Sequence, residues 1–498
     1  MRTASRCLVA ANLLTSAAFL AIAGCAVGPD FHTPAAPKAT HYTQGTPPEV
    51  TQEAPVSGGN AQHFITDRDI PGDWYSLFQS ASLDELVRQA LRDSPNVEAA
   101  EAALRSAHYT YIAERGALLL PGADGQFQVQ REKLPGVAFG NPAIPAQTFT
   151  LYNATVNVTY RVDLFGASRR QLEQLRAQSD YQRWQLEAAS LTLTGNVVTT
   201  AFDIASLREQ LTAVKDVVGK ETELYRVVQR QFEAGGVSKA DVLSQQSQLA
   251  QAQALVPGLE EALAQAQHRL AVLAGRSPDD ESLPSFELEG FALPTELPVS
   301  VPAKLVRQRP DVRSAEALLE QASAAVGVAT ANLYPQLNLS GSIGSESLKV
   351  SGLFAAGTGA WTAGGALLQP LFHGGELRYR RKAAIADLQK ADANYRQAVL
   401  AAMQQVADTL RALEADARNL NAQVEAEKAA GDALAIARKQ LQVGGISYIT
   451  VLNAERLYLQ ARQNRVQAQA ARYADSAALF QALGGGWWNR NEQKVAQQ

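Results

Sequence analysis

Reactive side chains matter where they converge, and in this chain few do. The six histidines, His32, His41, His63, His108, His268 and His373, are scattered, with no His-x-x-x-His or comparable spacing for a metal. Gly357-Thr358-Gly359 and Gly364-Gly365 lack the strand-to-helix setting and the lysine of a phosphate loop, and there is no Gly-x-Ser-x-Gly elbow for a nucleophile. The expectation is no enzyme, no metal and no soluble cofactor. One residue does sit where covalent chemistry is expected: Cys25, at the end of an apolar run.

Arg2 and Arg6 precede apolar residues from Leu8 to Ala23, and small residues follow, which is the layout of an export signal. Ile22-Ala23-Gly24-Cys25 resembles the bacterial lipobox, in which the cysteine sulfur is acylated and becomes the first mature residue. A covalent lipid such as palmitate on Cys25 is therefore expected. Cys7 would leave with the signal, so no intramolecular disulfide remains. In bacterial lipoproteins an aspartate after the cysteine usually means retention in the inner membrane. Ala26 stands there instead, which favours the outer membrane.

The 498 residues carry a net charge of -4 with interleaved signs, so no clustered basic face for nucleic acid is expected. Past the signal no apolar run reaches the length of a transmembrane helix, so any spanning element must be a closed β-barrel.

The elements follow from repetition and period. Ser94 to Ala107 matches Arg309 to Ala322 at its Pro, Val, Glu, Leu and several Ala positions. Asp163-Leu164-Phe165-Gly166 pairs with Pro370 to Gly375, and QFEAGGVSKADVL from Gln231 with QLQVGGISYITVL from Gln440. The expected order is a signal over 1–25, an extended Pro-, Thr-, Gly- and Gln-rich linker over 26–71, repeats over 72–290 and 291–486, and a tail over 487–498. Each repeat should hold a first helix (Leu83 to Leu118, or Val301 to Leu333), two strands, a long Pro-free helix (about Phe165 to Ala234, or Glu376 to Val443) and a medium helix (Ser238 to Ala274, or Ser447 to Leu483). The long helices would reach roughly 100 Å and the medium ones roughly 50 Å. Leu249, Val256, Leu263 and Leu270, with Ala252, Leu259, Ala266 and Leu273, form a seven-residue seam. Leu452, Leu459, Val466, Tyr473 and Phe480 form another, and Pro257 should kink its helix.

From Leu151 to Leu164 apolar and polar residues alternate strictly. Gln126 to Gln130, Gln336 to Ile343 and Trp361 to Leu368 are the other strands. Tyr152, Val156, Val158 and Tyr160 are expected to face lipid, because the two tyrosines lie about 26 Å apart along a strand, close to the height of an apolar membrane band. Four strands cannot close a barrel, so the chain must share one with copies of itself.

At this point the sequence resembles the TolC-like outer membrane factors, most closely the lipoprotein efflux channels of the NodT/OprM kind. The resemblance is carried by Cys25 to Asp30, WYSLFQSASLDELVRQAL from Trp74, Arg309-Pro310-Asp311-Val312, GGISYITVLNAER from Gly444 and Ala482 to Trp487, and it covers nearly the whole chain. It implies a mainly helical fold with a membrane barrel: a homotrimer with a twelve-stranded barrel in outer-membrane lipid and a twelve-helix tunnel across the periplasm. It implies as partners a periplasmic adaptor and an inner-membrane pump of the resistance-nodulation-division type, with export of drugs or other small molecules. A type I protein-secretion duct is the alternative. Each Gly-Gly should cap one helix, and Ser238 or Ser447 should then cap the next through its hydroxyl, making hairpin tips. By the resemblance Gly235, Gly236, Val237, Gly444, Gly445 and Ile446 dock the adaptor. Some relatives close the tip with an acidic ring, but here the region reads Ala437-Arg438-Lys439-Gln440. Two readings of Arg438 stay open, a residue of a periplasmic constriction and a solvated helix-face residue.

Overall fold

Prolines set the first boundaries. A computed structural model describes residues 26–43, 49–141, 143 and 145–490, so Cys25 and the signal lie outside the described residues. In chain order the elements are β1 His63–Thr66, α1 Ala81–Asp93, α2 Pro95–Leu119, β2 Gly122–Leu134, β3 Gln147–Val162, α3 Ala167–Glu233, α4 Lys239–Leu273, β4 Glu296–Val299, α5 Pro302–Gln308, α6 Pro310–Ala331, β5 Gln336–Ser347, β6 Gly359–Leu368, α7 Glu376–Gln442 and α8 Tyr448–Ala482. Where single helices were expected over Leu83 to Leu118 and Val301 to Leu333, there are two each. Pro95 and Pro310 hold the preceding residue extended, with ψ 121 at Ser94 and 123 at Arg309, and then open a new helix. Pro257, by contrast, stays inside α4 without ending it.

The chain divides into two compact units. One holds the described residues up to Thr33 with Leu104–Gln182 and Ala315–Tyr395; the other holds Pro34–Ala103, Arg183–Ser314 and the described residues from Arg396 on.

The first unit carries a four-stranded antiparallel sheet in the order β2-β3-β5-β6. Residues just beyond Cys25 are fastened beside it. Val27 N donates to Phe165 O at 3.1 Å, Arg170 pairs with Asp30 at 2.5 Å, and a side chain at Gly166 would collide with Ala26.

The second unit has the aromatic core: Phe202 packs at 4.9 Å from both Phe78 and Phe291, and Trp74 stacks on Phe480 at 5.5 Å. Two elements correct the expected linker and tail. β1 pairs in parallel with β4, a small sheet with no period-two signal in four residues. Around it Gln62 is buried and donates to Pro294 O and Ser476 Oγ, both at 2.9 Å. The buried Arg472 guanidinium donates to Asn60 O, Thr51 Oγ1 and Gly58 O at 2.6, 3.0 and 3.3 Å. A buried cation needs acceptors, and peptide carbonyls of the supposed linker supply them. Trp487 Nε1 donates to Gln308 O at 2.6 Å and Trp488 Nε1 to Asp69 at 2.9 Å, so the start of the tail is packed as well.

Candidate functional site

Two places could serve a function, the sheet and the pair of hairpin tips. Residues opposite each other on antiparallel strands share a face. One row across the sheet reads Gly125, Val156, Ile343, Trp361; the next Ala123, Val158, Gly341, Ala363; the next Tyr160, Leu339, Gly365, with Val129 beside Tyr152 further along. In the first three rows this face is apolar over all the strands they cross, while Ser345, Ser347, Thr150 and Arg131 share it further along, and it holds Tyr152, Val156, Val158 and Tyr160. The other face carries Asp124, Asn157, Ser342 and Thr362 in one row, with Asn157 Nδ2 bonded to Gln126 Oε1 at 3.2 Å and Asn153 Nδ2 to Glu346 Oε1 at 2.9 Å. β2 and β6 are each bonded on one side only, and Val156, Ile343 and Trp361 are exposed in the single chain.

Both tips reverse the chain in the same way. Gly236 N donates to Gln231 O at 2.7 Å and Gly235 N to Phe232 O at 2.9 Å. In the second copy Gly445 N donates to Gln440 O at 2.8 Å and Gly444 N to Leu441 O at 3.0 Å. Gly235 and Gly444 have φ of 77 and 75, which glycine adopts without strain and other residues avoid. The following caps differ. Ser238 accepts from Asp241 N while Asp241 accepts from Ser238 N, a full capping box. Ser447 makes no such bond, against expectation. Its partner position is Thr450, which offers a hydroxyl to the Ser447 hydroxyl at 3.2 Å and no carboxylate to the backbone.

Arg438 does not stand alone near its tip. Nη2 and Nε donate to Glu455 Oε1 at 2.6 and 3.2 Å. Beside them lies Glu221, bonded to Gln245 Nε2. Glu221 is 1% exposed, Gln245 0%, and Glu455 6%. Burial first, then contact with the Glu455 carboxyl, pushes Glu221 up to about 8, and burial with the two acids raises Tyr448 as well. Sequence reading missed Glu221, Gln245 and Tyr448, because a lone glutamate or glutamine on an amphipathic helix looks like a solvated residue. Glu455 sits within the GGISYITVLNAER stretch yet had no role assigned. Among the described residues no cluster of three or more His, Cys, Asp or Glu could hold a metal.

The outer membrane efflux protein family matches residues 86–276 and 301–485, and the chain belongs to that family. It is 30% identical over 421 residues to the pyoverdine export outer membrane protein OpmQ of Pseudomonas aeruginosa, covering 83% of this chain and 87% of that one. It is 26% identical over 480 residues to the toluene efflux pump outer membrane protein TtgC of Pseudomonas putida, 95% of each chain. The solved structure of the outer-membrane channel OprN superposes with a TM-score of 0.82 at 26% identity, covering 93% of this chain and 100% of that one.

Proposed function

We propose that this outer membrane efflux protein is a passive trimeric conduit, in which three copies join their four-stranded sheets into a twelve-stranded barrel and their helices into a tunnel. The observation that carries the proposal is the sheet itself. It has an apolar face, a polar face and two unbonded edges, and an open edge in lipid would cost several kcal/mol per unpaired backbone group. The alternation of strand directions lets β6 of one copy run antiparallel to β2 of the next. A covalent lipid on Cys25 fits the position of Ala26 and Val27, fastened where β3 meets α3.

In this proposal the tips receive a periplasmic adaptor that leads to an inner-membrane pump of the resistance-nodulation-division type, and the cargo is a drug or another small molecule. The relatives named for toluene efflux and pyoverdine export favour that cargo over a secreted protein. Arg438, tied to Glu455, would shape a periplasmic constriction by fixing helices and not by lining the opening. A higher single-channel current in Arg438→Ala supports that role, and an unchanged current removes it.

The test of the whole reading is loss and recovery of efflux. A deletion strain should become sensitive to one or more compounds in a panel of antibiotics, dyes, solvents and metals, and the purified protein should conduct in planar bilayers. Gly236→Phe and Gly445→Phe leave the left-handed glycines intact and have room beside the Gln231 and Gln440 carbonyls. They should abolish resistance while assembly persists; unchanged resistance would remove the docking role of Gly235, Gly236, Val237, Gly444, Gly445 and Ile446.

A further inference from the structure

We infer that a single proton shared between Glu221 and Glu455 clasps the first hairpin, α3 with α4, to the second, α7 with α8. Each carboxyl has one oxygen already engaged. Gln245 Nε2 from α4 holds Glu221 Oε2, and the Arg438 guanidinium from α7 holds Glu455 Oε1. The remaining oxygens, Glu221 Oε1 and Glu455 Oε2, have no donor, although both are buried. The two carboxyls line one cavity together with Arg438, and after burial the Glu455 carboxyl is the largest cause that pushes Glu221 up. A proton between them gives both orphaned oxygens a partner at once. Without it two adjacent buried anions face one half-exposed cation, an arrangement that repulsion and lost hydration both oppose. With it the group is electrically neutral: a carboxylic acid on α3 donates to a carboxylate on α8, and that carboxylate is paired with Arg438.

The surrounding charges do not replace the proton. From α3, Asp216 and Lys220 line the adjoining cavity, and from α8 Arg462 and Tyr458 line it; Arg462 pairs with Asp216 at 3.7 Å. Tyr448 from α8 and Asp241 from α4 line the cavity on the tip side, where Asp241 is occupied by the Ser238 cap. Tyr448 keeps its own proton and its hydroxyl has no partner.

The sign follows from the raised acid. Glu221 is pushed up to about 8, so the clasp is fully present below the ordinary carboxylate range and is lost as pH rises through about 8. Glu221 lies about 21 Å along α3 from Gly235, so loosening there frees the tip-proximal part of one hairpin from the other. The inference rests on the packing of four helices in one chain, and it stands or falls separately from the trimeric conduit.

Infrared titration of the full-length purified protein tests it. Asp416, which burial and the Asp475 carboxyl push up to about 7, would contribute a second band, so Asp416→Asn is the reference. The expected result is a protonated-carboxyl band that disappears with a midpoint near pH 8 and is missing in the Asp416→Asn, Glu221→Gln double variant. Hydrogen exchange supplies a second readout. Corrected for intrinsic rates, amides around Glu221 and Glu455 should lose about a hundredfold protection between about pH 6 and about pH 9. In Glu221→Gln they should lose none, because the amide donates where the proton stood. In the Asp416→Asn background, the absence of any protonated-carboxyl band above about pH 7, or a band near pH 8 that survives Glu221→Gln, overturns the clasp, as does flat protection in the wild type. The Asp416→Asn titration, with the clasp intact, decides even where Glu221→Gln fails to fold.

Discussion

α4 and α8 are both 35 residues long and follow equivalent glycine tips, yet they differ in how much of their seam is covered. In α8 Leu452, Leu459, Val466, Tyr473 and Phe480 are all buried, as the seven-residue spacing requires. In α4 the same spacing yields burial only at Ala252, Ala266 and Leu270, while Leu249, Val256 and Leu263 stay half-exposed. A seam that is legible in sequence and uncovered in one chain is what a helix shows when its partner belongs to a neighbouring copy. Under the proposed trimer, α8 stabilises the chain and α4 the assembly.

The largest effects should separate those two roles. Phe480→Ala removes a fully buried ring and should cost about 3–5 kcal/mol, read from denaturant unfolding of the detergent-solubilised protein. Leu263→Ala should leave the chain folded and instead shift the trimer toward monomer in sedimentation. Equal unfolding costs with no change in association would erase the distinction. Next comes the Arg438–Glu455 pair. Arg438→Ala strands a buried carboxylate and should cost about 1–3 kcal/mol, scaled down because Arg438 is 42% exposed.

Smaller effects compare the tips directly. Gly235→Ala and Gly444→Ala force a side chain into the left-handed region, and each should cost about 1–2 kcal/mol, the same in both copies. The caps should diverge: Ser238→Ala loses a capping box worth about 1 kcal/mol, while Ser447→Ala changes almost nothing. Thr450→Asp should install the missing box and raise the melting temperature. A cost at Ser447 equal to that at Ser238 would show that the two caps work alike.

Much of this was readable from the sequence because it lies in local periodicity. Strict alternation from Leu151 onward marked β3, and Gly-Gly followed by serine marked each tip. The strands ran longer than expected, β2 from Gly122 to Leu134, because residues outside the alternating core are recruited by pairing with β3. Long-range packing was not readable. Nothing near Thr51 or Asn60 announces that Arg472, more than four hundred residues on, will bury a guanidinium against them. The same holds for Glu221, whose environment is made by three other helices.

Self-completion of the sheet is tested most directly by weighing the particle while it is still in lipid. Native mass spectrometry of the nanodisc-embedded protein should give three chains per particle, with cysteines placed on β2 and β6 cross-linking only between chains. A bilayer-inserted particle of one chain, or cross-links confined within a chain, would contradict it.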